Sequence, residues 1–196
     1  RPRRGAEGAA AAVSLLAPRV VVGRRRTVVA ERAAAVAVSP TPVAVAEAVK
    51  EKMPELRRLG AVVIVNVCGS SIDEYVEVSR ILSDAEGVAA LELNISCPNI
   101  KEGGIQFGCN LASTAEVVAA VRKATTLPLI PKLTPNVTSV SSFARAAEEN
   151  GADAVSLVNT FLAMVIDVET RRPAISNGMG GLSGPAIRRI AVRMVH

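Results

Sequence analysis

An alternation between short apolar runs and amphipathic segments, beginning near residue 43, constrains the fold of this chain more than any other feature. Four runs rich in Val, Ile, Leu and Ala have the length and composition of buried strands: residues 61–67, 88–94, 129–133 and 152–159. A helical segment follows each run, and another one, ending at Gly60, precedes the first. Repeated strand–helix units predict the α/β class, with a parallel sheet covered by helices. Periodicity leaves open whether that sheet is doubly wound or closed into a barrel.

Capping and stop signals place the ends of the helices. Ser113 followed by Glu116 has the spacing of a capping box and predicts a helix that begins there. Gly151 predicts the end of the helix that starts near Thr138. Pro185 predicts the first turn of the last helix. These signals give four strands, each followed by a helix.

The composition excludes several classes of protein. With 49% hydrophobic residues among 196, the chain has material for one core, hence for one domain or part of one. Its 2% aromatic residues give little surface for stacking on bases, and no apolar run is long enough to cross a membrane. Cys68, Cys97 and Cys109 form no C-x-x-C pair, which is typical of a reducing cytoplasm and supports neither disulfides nor a metal site. We therefore expect a cytoplasmic protein without nucleic-acid or membrane partners.

Residues 1–42 differ from the rest of the chain. They are rich in Ala, Val and Arg, they hold many of the arginines behind the net charge of +5, and they show no sustained periodicity. We expect an unrecognised segment, disordered or misjoined, ahead of a folded part that covers residues 43–196.

Polar residues stand at the predicted ends of all four strands: Asn66, Asn94, Lys132 and Asn159. In α/β folds the carboxyl ends of the strands meet at one edge, where functional groups collect, so these residues indicate one shared site. For any single Asn, a role in ending the strand is an ordinary alternative. Lys132 is harder to explain in this way, because a cation between apolar strand residues needs a partner.

Two loops carry further candidates. Cys97 follows the strand end at Asn94 and precedes a glycine-rich stretch at residues 103–104, a layout suited to a thiol on a mobile loop, although a generic buried cysteine fits equally well. Glycines before the last helix could expose backbone N–H groups to a phosphate. The only histidine is His196, so no nucleophilic triad can be assembled. The chemistry must then rest on Cys, Lys or a bound cofactor.

Four segments together resemble one family, the class 1B dihydroorotate dehydrogenases: residues 92–104 (ELNISCPNIKEGG), 131–138 (PKLTPNVT), 156–173 (SLVNTFLAMVIDVETRRP) and 180–187 (GGLSGPAI). The resemblance covers about residues 43–196. It implies a (β/α)8 barrel, of which this chain holds about four central strand–helix units.

The resemblance also implies an activity, the FMN-dependent oxidation of (S)-dihydroorotate to orotate in pyrimidine (UMP) biosynthesis. Electrons would pass to NAD through a partner subunit that carries FAD and a 2Fe-2S cluster, with a homodimer inside a heterotetramer. Cys97 corresponds to the catalytic base and Lys132 to a catalytic cation beside the flavin. The resemblance assigns FMN binding to Asn66, Asn94, Lys132, Val158, Gly180, Gly181 and Gly184. It assigns substrate binding to Asn94, Asn99, Asn159 and Thr160.

Three departures from the family pattern keep alternatives open. Residues 1–42 match none of the early family strands, the last two family strands are unmatched, and Pro131 lies inside a predicted strand, where it removes a ladder N–H. We expect the isolated chain neither to retain FMN nor to turn over. A related flavin dehydrogenase of another dihydropyrimidine and an inactive truncated fragment remain the alternatives.

Overall fold

The computed structural model describes residues 12–15, 20–23, 27–29, 33–38, 42–96 and 107–196. The first half of the chain contains β1 (Ala12–Leu15), β2 (Val20–Gly23), β3 (Thr27–Val29), β4 (Ala33–Val38), α1 (Pro42–Arg58), β5 (Val62–Val67), α2 (Ile72–Ser83) and β6 (Val88–Leu93). The second half contains a 3-10 turn (Phe107–Cys109), α3 (Leu111–Ala124), β7 (Leu129–Pro131), α4 (Val140–Glu149), β8 (Ala154–Ser156), β9 (Phe161–Ala163), β10 (Ile166–Asp167), β11 (Arg172–Pro173), β12 (Gly180–Leu182), a second 3-10 turn (Pro185–Ile187) and α5 (Arg188–Val195).

A sheet with a parallel centre organises the chain. Strands β4, β5, β6 and β7 are neighbours and run parallel, and β1 adds an antiparallel edge next to β4. Beyond β7, a parallel bridge joins Lys132 to Ser156 of β8, and Leu133 N donates to Ser156 O at 3.0 Å. Strand β8 also pairs antiparallel with β2. The predicted α/β class with a parallel sheet is therefore confirmed.

The helices cover one face of this sheet. Along β5, Val63, Val65 and Val67 are buried, while Ile64 and Asn66 lie on the other face and are partly buried. This alternation follows from the two-residue period of a strand. Burial of each large apolar side chain contributes ~1.5–3 kcal/mol to folding. The largest fully buried side chains include Tyr75, Leu82, Leu91, Leu93, Leu129 and Leu133.

The predicted N-cap of α3, Ser113, is wrong by three residues. The N-cap is Asn110, whose Oδ1 accepts from Ser113 N at 3.1 Å, and the helix begins at Leu111. Asn is as good an N-cap as Ser. Because Asn110 lies nearly one turn earlier than Ser113, Ser113 is inside the helix and its own N–H is the donor that Asn110 caps. The other helices of residues 42–149 begin or end within about two residues of their predicted bounds, and Gly151 has the expected left-handed φ of 101°.

The last helix follows the fourth strand as predicted from Pro185, but a long excursion separates the two. Strand β8 is followed by an excursion in which β9 pairs with β12 and β10 pairs with β11, both antiparallel. At the tip, Asp167 Oδ1 accepts from the backbone N–H groups of Glu169 and Thr170, each at 2.9 Å, and these bonds lower the pKa of the Asp167 carboxyl group. Only then do the second 3-10 turn and α5 follow.

The amino-terminal segment contributes strands to the sheets. Parts of residues 1–42 form β1 to β4, and β4 pairs with β5 over its whole length, from Ala33 opposite Val62 to Val38 opposite Val67. The Ala-rich β4 has no polar alternation for sequence analysis to detect, because it is built almost entirely of small apolar residues.

At Pro131, strand β7 lacks one backbone N–H donor for the sheet, as expected for a proline. The neighbouring residue restores the pairing at once, since Lys132 N donates to Leu93 O at 2.8 Å. Within the described part of the chain, no helix is both long enough and apolar enough to cross a membrane.

Candidate functional site

The carboxyl ends of β5 and β6 present polar side chains on the face of the sheet that the helices do not cover. Asn66 lies opposite Glu92 in the parallel register. Asn66 Nδ2 donates to Glu92 Oε2 at 2.6 Å, and Glu92 is only 5% exposed. One position further along each strand face, Cys68 Sγ donates to Asn66 Oδ1 at 3.5 Å and accepts from Asn94 Nδ2 at 3.4 Å. Side chains of two strand ends are thus joined through a thiol.

The same row of hydrogen bonds continues to the end of β8. Ser96 Oγ donates to Asn94 Oδ1 at 3.0 Å, and Asn159 Nδ2 donates to Ser96 Oγ at 2.7 Å. Asn159 Oδ1 accepts from Thr160 N at 2.8 Å. Four of the residues predicted from the sequence, Asn66, Asn94, Asn159 and Thr160, therefore belong to one connected set.

Tyr75 supports this set from the core. Its hydroxyl group donates to the main-chain oxygen of Asn94 at 2.8 Å, while the residue itself is only 2% exposed. The Tyr75 ring contacts Phe107 edge to face, with the ring centroids 5.9 Å apart. Helix α2 thereby fixes the backbone at the carboxyl end of β6.

A cleft of about 710 Å³ adjoins the polar set. Lys132 and Ser156 line it from β7 and β8, and α5 closes its opposite side with apolar residues. Because Leu93 pairs with Pro131, Lys132 stands level with Asn94 at the carboxyl end of the sheet. The predicted residues Val158, Asn159 and Thr160 also line this cleft. An apolar opening whose polar groups include the Lys132 ammonium, the Asn159 amide and the Thr160 hydroxyl suits a planar polar ligand.

Of the three predicted glycines, the structure brings only Gly181 close to a residue of the polar set. Gly181 pairs with Leu162, and a Cβ atom at Gly181 would come within 2.5 Å of Thr160 Oγ1. Gly180 pairs with Ala163, further from Thr160. Gly184 has a left-handed φ of 81° before the second 3-10 turn, and a Cβ there would meet nothing within 4 Å. The phosphate role of these glycines stays a prediction.

Sequence reasoning missed several residues that shape the site. Asn136 donates from Nδ2 to Thr160 O at 3.0 Å and accepts at Oδ1 from Leu162 N at 2.9 Å, so it holds the backbone on both sides of Phe161. It lies just beyond the end of β7, where a search for polar residues after strands would have found it. Glu92 carried a signal too, because a charge inside an apolar strand needs a partner as much as Lys132 does.

The predicted residues Cys97 and Asn99 lie outside the described residues. The polar set reaches Ser96, the residue directly before Cys97. Cys109 is an exposed residue, and partial burial of its thiol raises the pKa of that group. In residues 42–96 and 107–196, no three His, Cys, Asp or Glu side chains lie close enough together to hold a metal ion.

Comparison with known proteins gives concordant matches. Residues 39–196 match the family described as Dihydroorotate dehydrogenase. The protein named dihydroorotate dehydrogenase B (NAD(+)), catalytic subunit, from Desulforudis audaxviator is 54% identical over 147 residues, which are 75% of this chain and 48% of that protein. The protein of the same name from Porphyromonas gingivalis is 54% identical over 142 residues, 72% of this chain and 46% of its own length. A protein from Solibacter usitatus, whose name contains dihydroorotate dehydrogenase A (fumarate), is 53% identical over 148 residues, 76% of this chain and 49% of its own length.

The matched region contains every described residue of the polar set and of the adjoining cleft. The chain spans about half the length of the curated relatives it matches. On the extent of the family match and the identity to these relatives, the chain belongs to the dihydroorotate dehydrogenase family.

Proposed function

We propose that the full-length protein carrying this chain oxidises (S)-dihydroorotate to orotate with bound FMN, as a step of pyrimidine biosynthesis. The observation that carries the proposal is the row of amide side chains, Asn66, Asn94 and Asn159, that converges at the strand ends of a family member. In the same proposal, strands β5 to β8 are part of a closed (β/α)8 barrel, and residues 43–196 are its central portion. The segment of residues 1–42 would not belong to the barrel as the family builds it.

The residues at the cleft fit a flavin. An isoalloxazine ring presents carbonyl oxygens and ring nitrogens along one edge, which require N–H donors and a cation. Asn66, Asn94 and Lys132 offer amide and ammonium groups at the same end of the sheet. Val158 would pack against the ring, and Gly180, Gly181 and Gly184 would bring backbone N–H groups to the phosphate.

The substrate fits the remaining groups. Orotate and dihydroorotate carry a carboxylate and an imide edge, which need both donors and acceptors. Asn159 and Thr160 supply both kinds of group in the cleft. Asn94 is linked to Asn159 through Ser96, and Asn99 would add another group from the loop. These residues would orient the substrate so that its C5 proton faces Cys97.

The reaction divides between the cofactor and the protein. When bound, FMN would accept the hydride from C6 of dihydroorotate. Cys97 would take the proton from C5, and the electron pair of the broken C5–H bond would form the C5=C6 double bond of orotate. Lys132 would place a positive charge beside the ring on which negative charge develops. Because cysteine thiols ordinarily ionise near pH ~8.5, the rate should rise toward alkaline pH.

The names of two relatives support an electron-transfer partner. Both are called catalytic subunits of an NAD(+) enzyme, which implies a further subunit. We propose that this subunit carries FAD and a 2Fe-2S cluster and passes electrons to NAD, in a heterotetramer built on a homodimer of this protein in the cytoplasm. Fumarate, in the name of the third relative, is the competing acceptor. Reoxidation of the reduced flavin by NAD in the presence of the partner, but not by fumarate, would decide between them.

The test of the function is flavin reduction in the full-length protein, followed by stopped-flow absorbance. Cys97→Ser should slow reduction by dihydroorotate by a factor of about 100 or more, because a hydroxyl group is a far weaker base than a thiolate. Cys109→Ser is the matched control, since Cys109 is an exposed thiol to which the proposal gives no role, and it should reduce at the wild-type rate. An unchanged rate in Cys97→Ser would overturn the assignment of the base. Reduction by dihydrouracil in preference to dihydroorotate would instead favour a dehydrogenase of another dihydropyrimidine.

A further inference from the structure

We infer that Glu92, Cys68 and Ser96 are positioning residues, which fix the orientation of the three site amides through one directional chain of hydrogen bonds. The inference rests on the proposed function, because it concerns the same amide groups that would contact the flavin and the substrate. None of the three residues was singled out by the family resemblance. They act through Asn66, Asn94 and Asn159.

The two ends of the chain fix its direction. Thr160 N is a backbone donor and can only donate, so the oxygen of the Asn159 side chain must face it. The other end is the Glu92 carboxylate, which accepts from Asn66 Nδ2 at 2.6 Å. Turning the Asn66 amide over would set two acceptor oxygens against each other at that distance. Each terminal asparagine thus has one permitted orientation.

The middle of the chain agrees with both ends. With its oxygen on Thr160 N, Asn159 must present Nδ2 to Ser96, whose hydroxyl hydrogen is then directed to Asn94 Oδ1. Asn94 is left to donate from Nδ2 to Cys68 Sγ. Working from Asn66, Cys68 must donate its hydrogen to Asn66 Oδ1. The two directions meet at Cys68, which accepts on one side and donates on the other, as only a protonated thiol can.

This arrangement leaves defined groups for a ligand. Each of the three amides uses one N–H and one oxygen lone pair in the chain, so its second N–H and second lone pair point in fixed directions. Preorganised donors and acceptors bind a planar ligand more tightly than amides that are free to turn over, because no orientation has to be lost on binding. Breaking the chain at Cys68 or Ser96 should therefore weaken binding, although neither side chain needs to touch the ligand.

The chain of hydrogen bonds can be broken on either side of Asn94 by single substitutions. Cys68→Ala removes the acceptor of Asn94 Nδ2, and Ser96→Ala removes the donor to Asn94 Oδ1. The matched control is Ser79→Ala, since the Ser79 hydroxyl is also buried but has no hydrogen-bond partner among the described residues. Ser96→Thr keeps the hydroxyl group and tests for rescue.

The first readout is orotate binding to the FMN-loaded full-length protein, measured by the change in flavin absorbance. Cys68→Ala and Ser96→Ala should each weaken binding about 10-fold, while Ser96→Thr and Ser79→Ala should stay within about 2-fold of wild type. The double variant should lose only about 10–30-fold, less than the product of the two, because both changes release the same Asn94 amide. The melting temperatures of both alanine variants should equal that of the Ser79→Ala control. Orotate binding as tight as wild type in both alanine variants would overturn the inference.

The second readout needs no ligand, and it separates this inference from the proposed function. In protein labelled with ¹⁵N at asparagine, the side-chain amide hydrogens of Asn94 and Asn159 should exchange slowly with water in wild type and in Ser79→Ala. Exchange at Asn94 should quicken in Cys68→Ala, and exchange at Asn159 should quicken in Ser96→Ala. If wild type fails to bind orotate, the proposed function is wrong, but these exchange rates still test whether the chain of hydrogen bonds exists. Equal exchange in all variants would refute it.

Discussion

The Tyr75 hydroxyl group donates a hydrogen bond of 2.8 Å to the main-chain oxygen of Asn94, and so connects the core behind the sheet to the amide row in front of it. Tyr75→Phe keeps the ring and its contact with Phe107 but leaves the Asn94 oxygen without this donor. The free energy of unfolding should fall by about 1–2 kcal/mol. Orotate binding should weaken as well, since the backbone under Asn94 loses its support. Chemical denaturation and flavin titration of the full-length protein measure the two effects, and an unchanged affinity would show that Tyr75 supports the core alone.

Lys132 is expected to hold the flavin through its charge. It lines the cleft at the end of β7, so Lys132→Ala should lower the FMN content of the purified full-length protein and slow reduction about 10-fold or more. Lys123→Ala is the control, because Lys123 lies in the last turn of α3 and is exposed. Visible absorbance per protein gives the FMN content. If content and rate both equal those of the control, Lys132 has a structural role only.

Gly181 and Gly180 offer a matched pair of substitutions. A Cβ at Gly181 would meet Thr160 Oγ1 and Cβ at 2.5 and 2.8 Å, whereas one at Gly180 would meet only the end of the flexible Ile175 side chain at 2.8 Å. Gly181→Ala should therefore displace Thr160 and weaken orotate binding several-fold more than Gly180→Ala does. Equal losses in the two variants would argue against a close approach at Thr160.

Arg122 acts at the opposite end of the strands. Its guanidinium group donates to Asp153 Oδ2 at 3.0 Å and to the backbone oxygens of Thr125 and Leu127, while Asp153 in turn accepts from Leu129 N at 2.8 Å. Arg122→Ala should lower the free energy of unfolding by about 2 kcal/mol, because backbone oxygens at two turns lose their donor. Arg145→Ala, on the exposed face of α4, should change it by less than about 0.5 kcal/mol. Turnover of the folded protein should be unaffected by either change.

The sequence was sufficient to predict the part of the fold that depends on local periodicity. Buried runs such as residues 61–67 and the Gly151 stop carry their own signals, so β5 and the end of α4 lie where expected. The strand-end rule also selected Asn66, Asn94 and Asn159, which the structure joins through hydrogen bonds. Their roles toward a flavin remain predictions.

The rest could not be predicted because it depends on partners distant in sequence. Strands of two or three residues, such as β9 and β12, are too short to show alternation and exist only by pairing with each other. Cys68 gave no signal, because a lone cysteine after an apolar strand has the pattern of an ordinary core residue. Its position became informative only when Asn66 and Asn94 were placed on either side of it.

The β9–β12 ladder has a consequence for the order of folding. Leu162 and Gly181 pair across a long stretch of chain, so the entropy of closing that loop must be lost before their contacts repay it. The pairing of β5 with β6, from Val63 opposite Val88 to Val67 opposite Leu93, closes a loop of comparable length, but it buries large side chains such as Tyr75, Leu82 and Leu91 as it forms. In the β9–β12 ladder, by contrast, Leu162 and Leu182 stay exposed. Nucleation should therefore begin among β5, α2 and β6, and the Thr160 edge of the cleft should consolidate in a later kinetic phase.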